Sequence, residues 1–349
     1  MKAGKILLAT FIVFFLIIGF STVGAAKDKL EFAFVTNGPY TFWTFAHAGV
    51  LKAEKDYNVK VHFYKPPSGA PEEQKRFIET MLAKKIDGLA WCVVDPDNMT
   101  PFLNQVAKRI PVITFDSDAI ESDRLAYVGM SSYAAGRMCG KGIMHELPDG
   151  GEIIIFVGRM DVQNAIERRQ GIIDELSGKP YASIYPGEMS PQVQNIKAGK
   201  WTILDTRTDG GDESKAKAQA EDAITKYPGV DAMSGLWSYN PPAIINALKH
   251  AGKLGEIKQV HFDEEGETLQ AIRDGHVYAT VVQNPYEYGR KSIEILYKLA
   301  TKQDAGIPED RLVDVPARVI TKENVEEFWT DLKKKLETGE AAEVKAATN

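Results

Sequence analysis

From Leu30 onward the chain alternates short, nearly continuous apolar runs with longer amphipathic ones. LEFAFVT (30–36), VKVHFY (59–64), DGLAWCVV (87–94) and PVITFD (111–116) are brief, rich in β-branched and aromatic residues and bounded by turn formers, which predicts buried strands. Between them, PEEQKRFIETMLAKK places Phe77, Ile78, Met81 and Leu82 on one helical face. Strands separated by helices pair in parallel through crossovers. The alternation then begins again. EIIIFVG (152–158), WTILDTR (201–207), VDAMSGLW (230–237), KQVHFD (258–263) and VYATVVQ (277–283) meet the same test, and NPPAIINALKHAG reads as a helix with prolines in its first turn and Gly252 at its end. LPDGGE suits a turn into this second series. The count fits two similar doubly wound parallel-sheet α/β lobes better than one very wide sheet. In NVEEFWTDLKKKL, Val325, Phe328, Trp329, Leu332 and Leu336 fall at helical spacing, which predicts a C-terminal helix docked on a lobe; the polar, Ala-rich tail at 338–349 is expected to fray.

The first residues follow a different pattern. Lys2 and Lys5 precede an apolar run from Ile6 to Phe20, and Gly24, Ala25 and Ala26 come before the next charge, the three-part layout of a secretory signal peptide over 1–26 with cleavage after Ala25 or Ala26. An apolar core of about 15 residues is short for a spanning helix, which needs about 20, so a cleaved leader is expected over a membrane anchor, and with it a periplasmic or secreted location. No Cys near the cleavage point offers a lipid attachment site. Losing Lys2 and Lys5 takes the net charge from −6 to −8. Such an acidic balance argues against nucleic acid as a partner, since that needs a basic face. Cys92 and Cys139 are too few for a disulfide scaffold; whether they pair is left open by the sequence, although Cys92 within GLAWCVV reads as a small buried hydrophobe.

Open α/β sheets bind ligands beyond the carboxyl ends of their strands. The first strand leads to TNGPYTFWTF with Tyr40, Phe42 and Trp43; the third ends at Asp95 and the fourth at Asp116 in FDSD. In the second series Gly158 leads to Gln163 and Asn164, the 230–237 run leads to Ser238, Tyr239 and Asn240, and the next two end at Asp263 and Gln283. Aromatics, carboxylates and amides together make a site for a neutral polyhydroxylated ligand: flat apolar faces for C–H surfaces, planar groups for pairs of hydroxyls. The ring trio could also be a helix-start staple packed under its loop. Neighbouring residues point in different directions, so at least one ring, Phe42 or Trp43, is expected to face the cleft.

Enzyme signatures are scarce. GRMCGK (136–141) has one residue too few between its glycines for a phosphate loop and falls in a predicted helix, and no G-x-S-x-G, H-E-x-x-H or C-x-x-C occurs. His62 and His261 sit inside strand runs, where a packed, hydrogen-bonded role is expected, and no spacing argues a metal or cofactor site. Asp116 and Asp263 are the one pair that could run glycoside hydrolysis across a cleft, or serve there as fixed acceptors.

PYTFWTFAHAGVLKAEKDYNV, IPVITFDSDA, the glycine spacing of YVGMSSYAAGRMCGKGI, NAIERRQGI and HFDEEGETLQAIRDGHVYATVVQNPYEYG together resemble the ribose-binding-like periplasmic sugar-binding proteins of ABC importers, with the type I periplasmic-binding fold, over nearly the whole length after the leader. The resemblance implies a first lobe of 28–130 plus about 284–312 and a second of 131–283 plus about 313–337, joined by a hinge. It implies closure on one sugar or polyol, delivery to a membrane permease, and no catalysis or cofactor; a chemoreceptor is a further candidate partner. Phe42 and Trp43 match the family's stacking pair, Asp116 its carboxylate, and Asn240, Asp263 and Gln283 its polar contacts. Ser117 and Ile166 stand where ribose binders carry arginines, whose planar fork neither can imitate. Asn164, Arg168 and Tyr40 are candidate substitute donors, Arg168 having also a reading as an ion pair within its own helix. A nucleoside or signal molecule on the same fold remains an alternative ligand.

Overall fold

The structure is a computed structural model that describes residues 29–348 except 41, 161 and 182–185; the leader lies outside the described residues. The chain runs β1 (Glu31–Val35), α1 (Phe42–Tyr57), β2 (Lys60–Tyr64), α2 (Pro71–Ala83), β3 (Gly88–Trp91), α3 (Pro96–Ala107), β4 (Val112–Phe115) and β5 (Tyr127–Gly129). It continues through α4 (Ser132–Glu146), β6 (Gly151–Val157), α5 (Gln163–Leu176), β7 (Gln194–Ala198), β8 (Trp201–Thr208), α6 (Glu213–Lys226), β9 (Ala232–Gly235), α7 (Asn240–His250), β10 (Lys258–Phe262), α8 (Gly266–Asp274) and β11 (Ala279–Val282). Then come α9 (Pro285–Ala300), β12 (Leu312–Asp314), β13 (Arg318–Thr321) and α10 (Val325–Thr348).

Two sheets result, ordered β12-β5-β4-β3-β1-β2 and β13-β11-β10-β9-β6-β8-β7. Pairing is parallel except at β7–β8, joined through Gly199 at φ +60°, and at β11–β13. Both sheets are covered on each face, which is why their strands read as unbroken apolar runs. In β1, Phe32 and Phe34 face the core under α1 and α9, while Ala33 and Val35 face the core under α2 and α3. The chain passes between the sheets at three places: after β5, after β11, and between β12 and β13.

Each lobe has one helix pair in backbone contact. A Cβ on Gly49 of α1 would lie 1.9 Å from the Tyr286 carbonyl oxygen, and one on Gly289 of α9 2.1 Å from that of Ala46; in the second lobe Gly136 of α4 and Gly171 of α5 meet Arg168 O and Tyr133 O at 2.1 and 2.3 Å. No side chain fits at these crossings.

One expectation and one open question meet the structure here. The segment beyond Gly339, expected as a frayed tail, continues α10 to Thr348, in keeping with alanine's high helix propensity. This helix begins with Val325 and Phe328 in a core shared with Leu269 and Ile272, and Arg273 pairs with Glu326. Farther on it crosses to α1, where a Cβ on Gly339 would sit 2.2 Å from Thr44 O, so it contacts both lobes. The cysteines do not pair: both are buried and free, Cys92 against Asp116 and Cys139 against Ser234 in the other lobe. Burial pushes the Cys139 thiol up to about 12.

Candidate functional site

Two aspartates follow two strands in the same way. Asp116 comes after β4 with φ +58°, and Asp263 after β10 with φ +65°. Non-glycine residues adopt this left-handed backbone at a cost of about 1 kcal/mol or more, so something must hold each one. The restraint is the same in both lobes. Asp116 N donates to Val128 O (3.2 Å) and Tyr127 Oη donates to Asp116 O (2.9 Å); Asp263 N donates to Val281 O (2.9 Å) and Thr280 Oγ1 donates to Asp263 O (2.7 Å). Asp95 is also left-handed, but its carboxylate caps α3 through Asn98.

The carboxylates differ. Asp263 is buried; its Oδ2 lies 3.6 Å from Arg168 Nη1, and its Oδ1 accepts from Gln283 Nε2 at 3.2 Å. Gln283 Oε1 in turn accepts from Tyr288 Oη at 3.2 Å. Arg168, only 2% exposed, also donates to Leu236 O at 2.6 Å and stacks 4.8 Å over the Phe262 ring. Its ion-pair partner is therefore a strand end, not a residue of its own helix. Asp116 is half-buried, and among the described residues its carboxylate receives one donor, the Cys92 thiol at 3.4 Å. Burial pushes it up to about 6 against the pull of Arg168, with Asp263 adding to the rise. Burial raises Asp263 and Glu167 as well.

A second knot forms at the other strand ends of this lobe. Asp209, just past β8, accepts from Tyr239 Oη (2.6 Å), Asn240 Nδ2 (2.8 Å) and Gly211 N (2.8 Å). Asn240 Oδ1 accepts from Trp237 N (3.1 Å), and Trp237 Nε1 donates to Asn164 Oδ1 (3.2 Å). Asn240 is thus buried with both amide atoms engaged, whereas Trp237 stays half-buried. Asp209 and Trp237 are members that the sequence reading missed, although Trp237 closes one strand-like run and Asp209 stands two residues past another, close to the signal that singled out Asp116.

Of the ring trio, Trp43 is 1% exposed, donates through Nε1 to Asn37 Oδ1 (2.7 Å) and sets an edge on Phe115 at 5.6 Å. It packs under the loop. Phe42 stays half-buried in edge contact with Trp43, and Tyr40 is exposed. Tyr40 raises the phenol of Tyr239 in the other lobe, a minor contribution after burial and the Asp209 bond. The Ser117 hydroxyl donates to Val93 O at 2.8 Å. His261 is fully buried and held neutral, pushed down to about 3 by burial, with Gly235 N donating to its Nδ1. Among the described residues no cluster suits a metal ion and no helix is long and apolar enough to cross a membrane.

A two-lobed α/β body with polar strand ends of both sheets meeting at one place is a hinged ligand-binding module. The chain belongs to the periplasmic binding protein family, whose domain matches residues 32–304. It is 25% identical over 215 residues to the ribose import binding protein of Salmonella typhimurium, covering 61% of this chain and 65% of that one, and thus spans somewhat under two thirds of that relative. To the D-allose-binding periplasmic protein of Escherichia coli it is 23% identical, with 77% and 84% covered. Its fold is shared with a glucose-galactose binding protein from Geobacillus stearothermophilus (TM-score 0.73, 23% identity, 85% and 99% covered) and with a solute-binding protein from Burkholderia graminis in complex with D-arabinose (0.74, 22%, 86% and 98%).

Proposed function

We propose that the chain is the solute receptor of an ABC importer, closing its lobes, 28–130 with about 284–312 and 131–283 with about 313–337, on a sugar or sugar-like polyol and delivering it to a membrane permease. The observation that carries this reading is the meeting of Asp116 from the first lobe with Arg168 and Asp263 from the second, close enough that both act on its ionisation. A ligand bonded to both sides stabilises the closed form by its differential affinity for that state. The relatives' sugar ligands support a carbohydrate, and the leader pattern supports export to the periplasm. A chemoreceptor is a second candidate partner.

Hydrolysis by Asp116 and Asp263 is the weaker reading, because Asp263 is tied to Arg168 and Gln283 rather than left to take a proton or a glycosyl group. Thermal unfolding across pentoses, hexoses, polyols, nucleosides and amino acids tests the proposal, since a ligand of the folded state raises the melting temperature. A shift with a carbohydrate is expected. A shift only with a nucleoside or amino acid would overturn the ligand class.

A further inference from the structure

Resting on the receptor reading, we infer that the ligand is a polyhydroxylated amine, a protonated amino sugar or amino cyclitol, whose ammonium sits against Asp116. The reason is the balance of charge where the lobes meet. Arg168 is the cation that acts on Asp116, Asp263 and Glu167 alike, and its contacts are with Asp263 and the Leu236 carbonyl. Asp118, two residues after Asp116, is already matched by Arg124, which bonds both of its oxygens. Asp209 is satisfied by neutral donors alone. Glu264, behind Asp263, feels Arg318 as well as Arg168. Among the described residues, Cys92, Tyr127 and Tyr288, which also lie near Asp116, add no positive charge.

Closing this site over a neutral ligand would bury Asp116 beside the already buried Glu167 with no cation of their own among the described residues, and uncompensated buried charge is expensive. An ammonium removes that cost and replaces the weak thiol donor at Asp116 with a charge-assisted bond. An independent feature calls for oxygen on the same ligand. Among the described residues Arg168 Nε is buried without a partner, a donor that a hydroxyl or ring oxygen would satisfy. The half-buried rings of Phe42 and Trp237 offer faces for the ligand's C–H surface. Burial raises Asp116 to about 6, and seating an ammonium there would drive its proton off, so amine affinity should fall as pH drops below about 6.

The test is isothermal titration calorimetry at pH 7.5 of the purified protein with D-glucosamine, D-galactosamine and an amino cyclitol, each beside its hydroxyl parent and its N-acetyl derivative. At least one amine should bind tenfold or more tightly than both of its neutral counterparts, and Asp116→Asn should erase that preference. A neutral sugar that binds as tightly as its amine, or a uronate that binds more tightly than either, overturns the inference and leaves the receptor reading intact. Binding of nothing in the panel overturns both. An amine preference that survives Asp116→Asn overturns the seat assigned to the ammonium.

Discussion

Asp116 and Asp263 stand at corresponding places in the two lobes, share a left-handed backbone, and are held by matching backbone and hydroxyl bonds from the adjacent strand. What surrounds their carboxylates is different. Asp263 is wired to Arg168 and Gln283 before any ligand arrives; among the described residues the Asp116 carboxylate meets one thiol. One fold position, used twice, has become a fixed girder in one lobe and an open acceptor in the other. The lesson is that backbone geometry sets where a strand-end carboxylate points, while its neighbours decide whether it supports the protein or is free for a ligand.

The largest effect should come from breaking the girder. Asp263→Ala leaves Arg168 buried without its counter-ion, and removing one partner of such a pair costs about 3 kcal/mol or more. Urea unfolding at pH 7 measures it, and a loss below about 1 kcal/mol would mean the pair is not what fixes Arg168. Next, Gly49→Val and Gly136→Val each drive a side chain into a facing carbonyl, and overpacking of this kind costs about 1–3 kcal/mol. Similar losses in the same urea experiment would extend the likeness of the lobes to their helix crossings, whereas a loss in one lobe alone would end it.

For the open acceptor the expected change is in binding. Asp116→Ala should weaken the ligand by at least about 1.5 kcal/mol, the scale of a hydrogen bond to a charged group, without lowering stability at pH 7. Unchanged affinity by calorimetry removes Asp116 from the site. The smallest expected effect is on pH dependence. Asp116 is raised from 3.8 to about 6, so the folded state holds this proton more tightly than the unfolded chain; its contribution is most favourable below about 4 and is lost as pH rises through 6. Asp116→Asn removes that loss. Melting temperatures of the two proteins should therefore separate progressively from pH 4 to pH 7, with the variant gaining; parallel curves would show an ordinary, solvated carboxylate.

Much of the fold was legible because both sheets are buried on both faces, which makes each central strand a compact apolar word such as EIIIFVG. Three of the four edges, β7, β12 and β13, escaped notice, and so did β5 just inside one of them. β7 is QNIKA, largely exposed, and β5, β12 and β13 have three or four residues each, too short to show a period. In the candidate site, the strand-end places of Asp116, Asp263 and Gln283 were readable from the sequence alone. Asp209 was passed over because it follows a strand that reads to 207 and precedes two glycines, so it looked like turn chemistry. The burial of Trp43 could not be read, since it depends on a bond to Asn37 across the loop. Nor could sequence show that Arg168 reaches Asp263, a contact between α5 and the end of β10 that exists only once the second lobe has folded.

The last helix sets a mechanical condition on all of this. α10 is fastened at its start to the second lobe by Val325, Phe328 and the Arg273–Glu326 pair, and farther along rests on α1 of the first. A helix does not stretch, so rotation of one lobe away from the other must slide or release one of these moorings. At Gly339 the helix meets both the carbonyl oxygen and the methyl group of Thr44 with no side chain of its own, so any larger residue there would push this mooring apart.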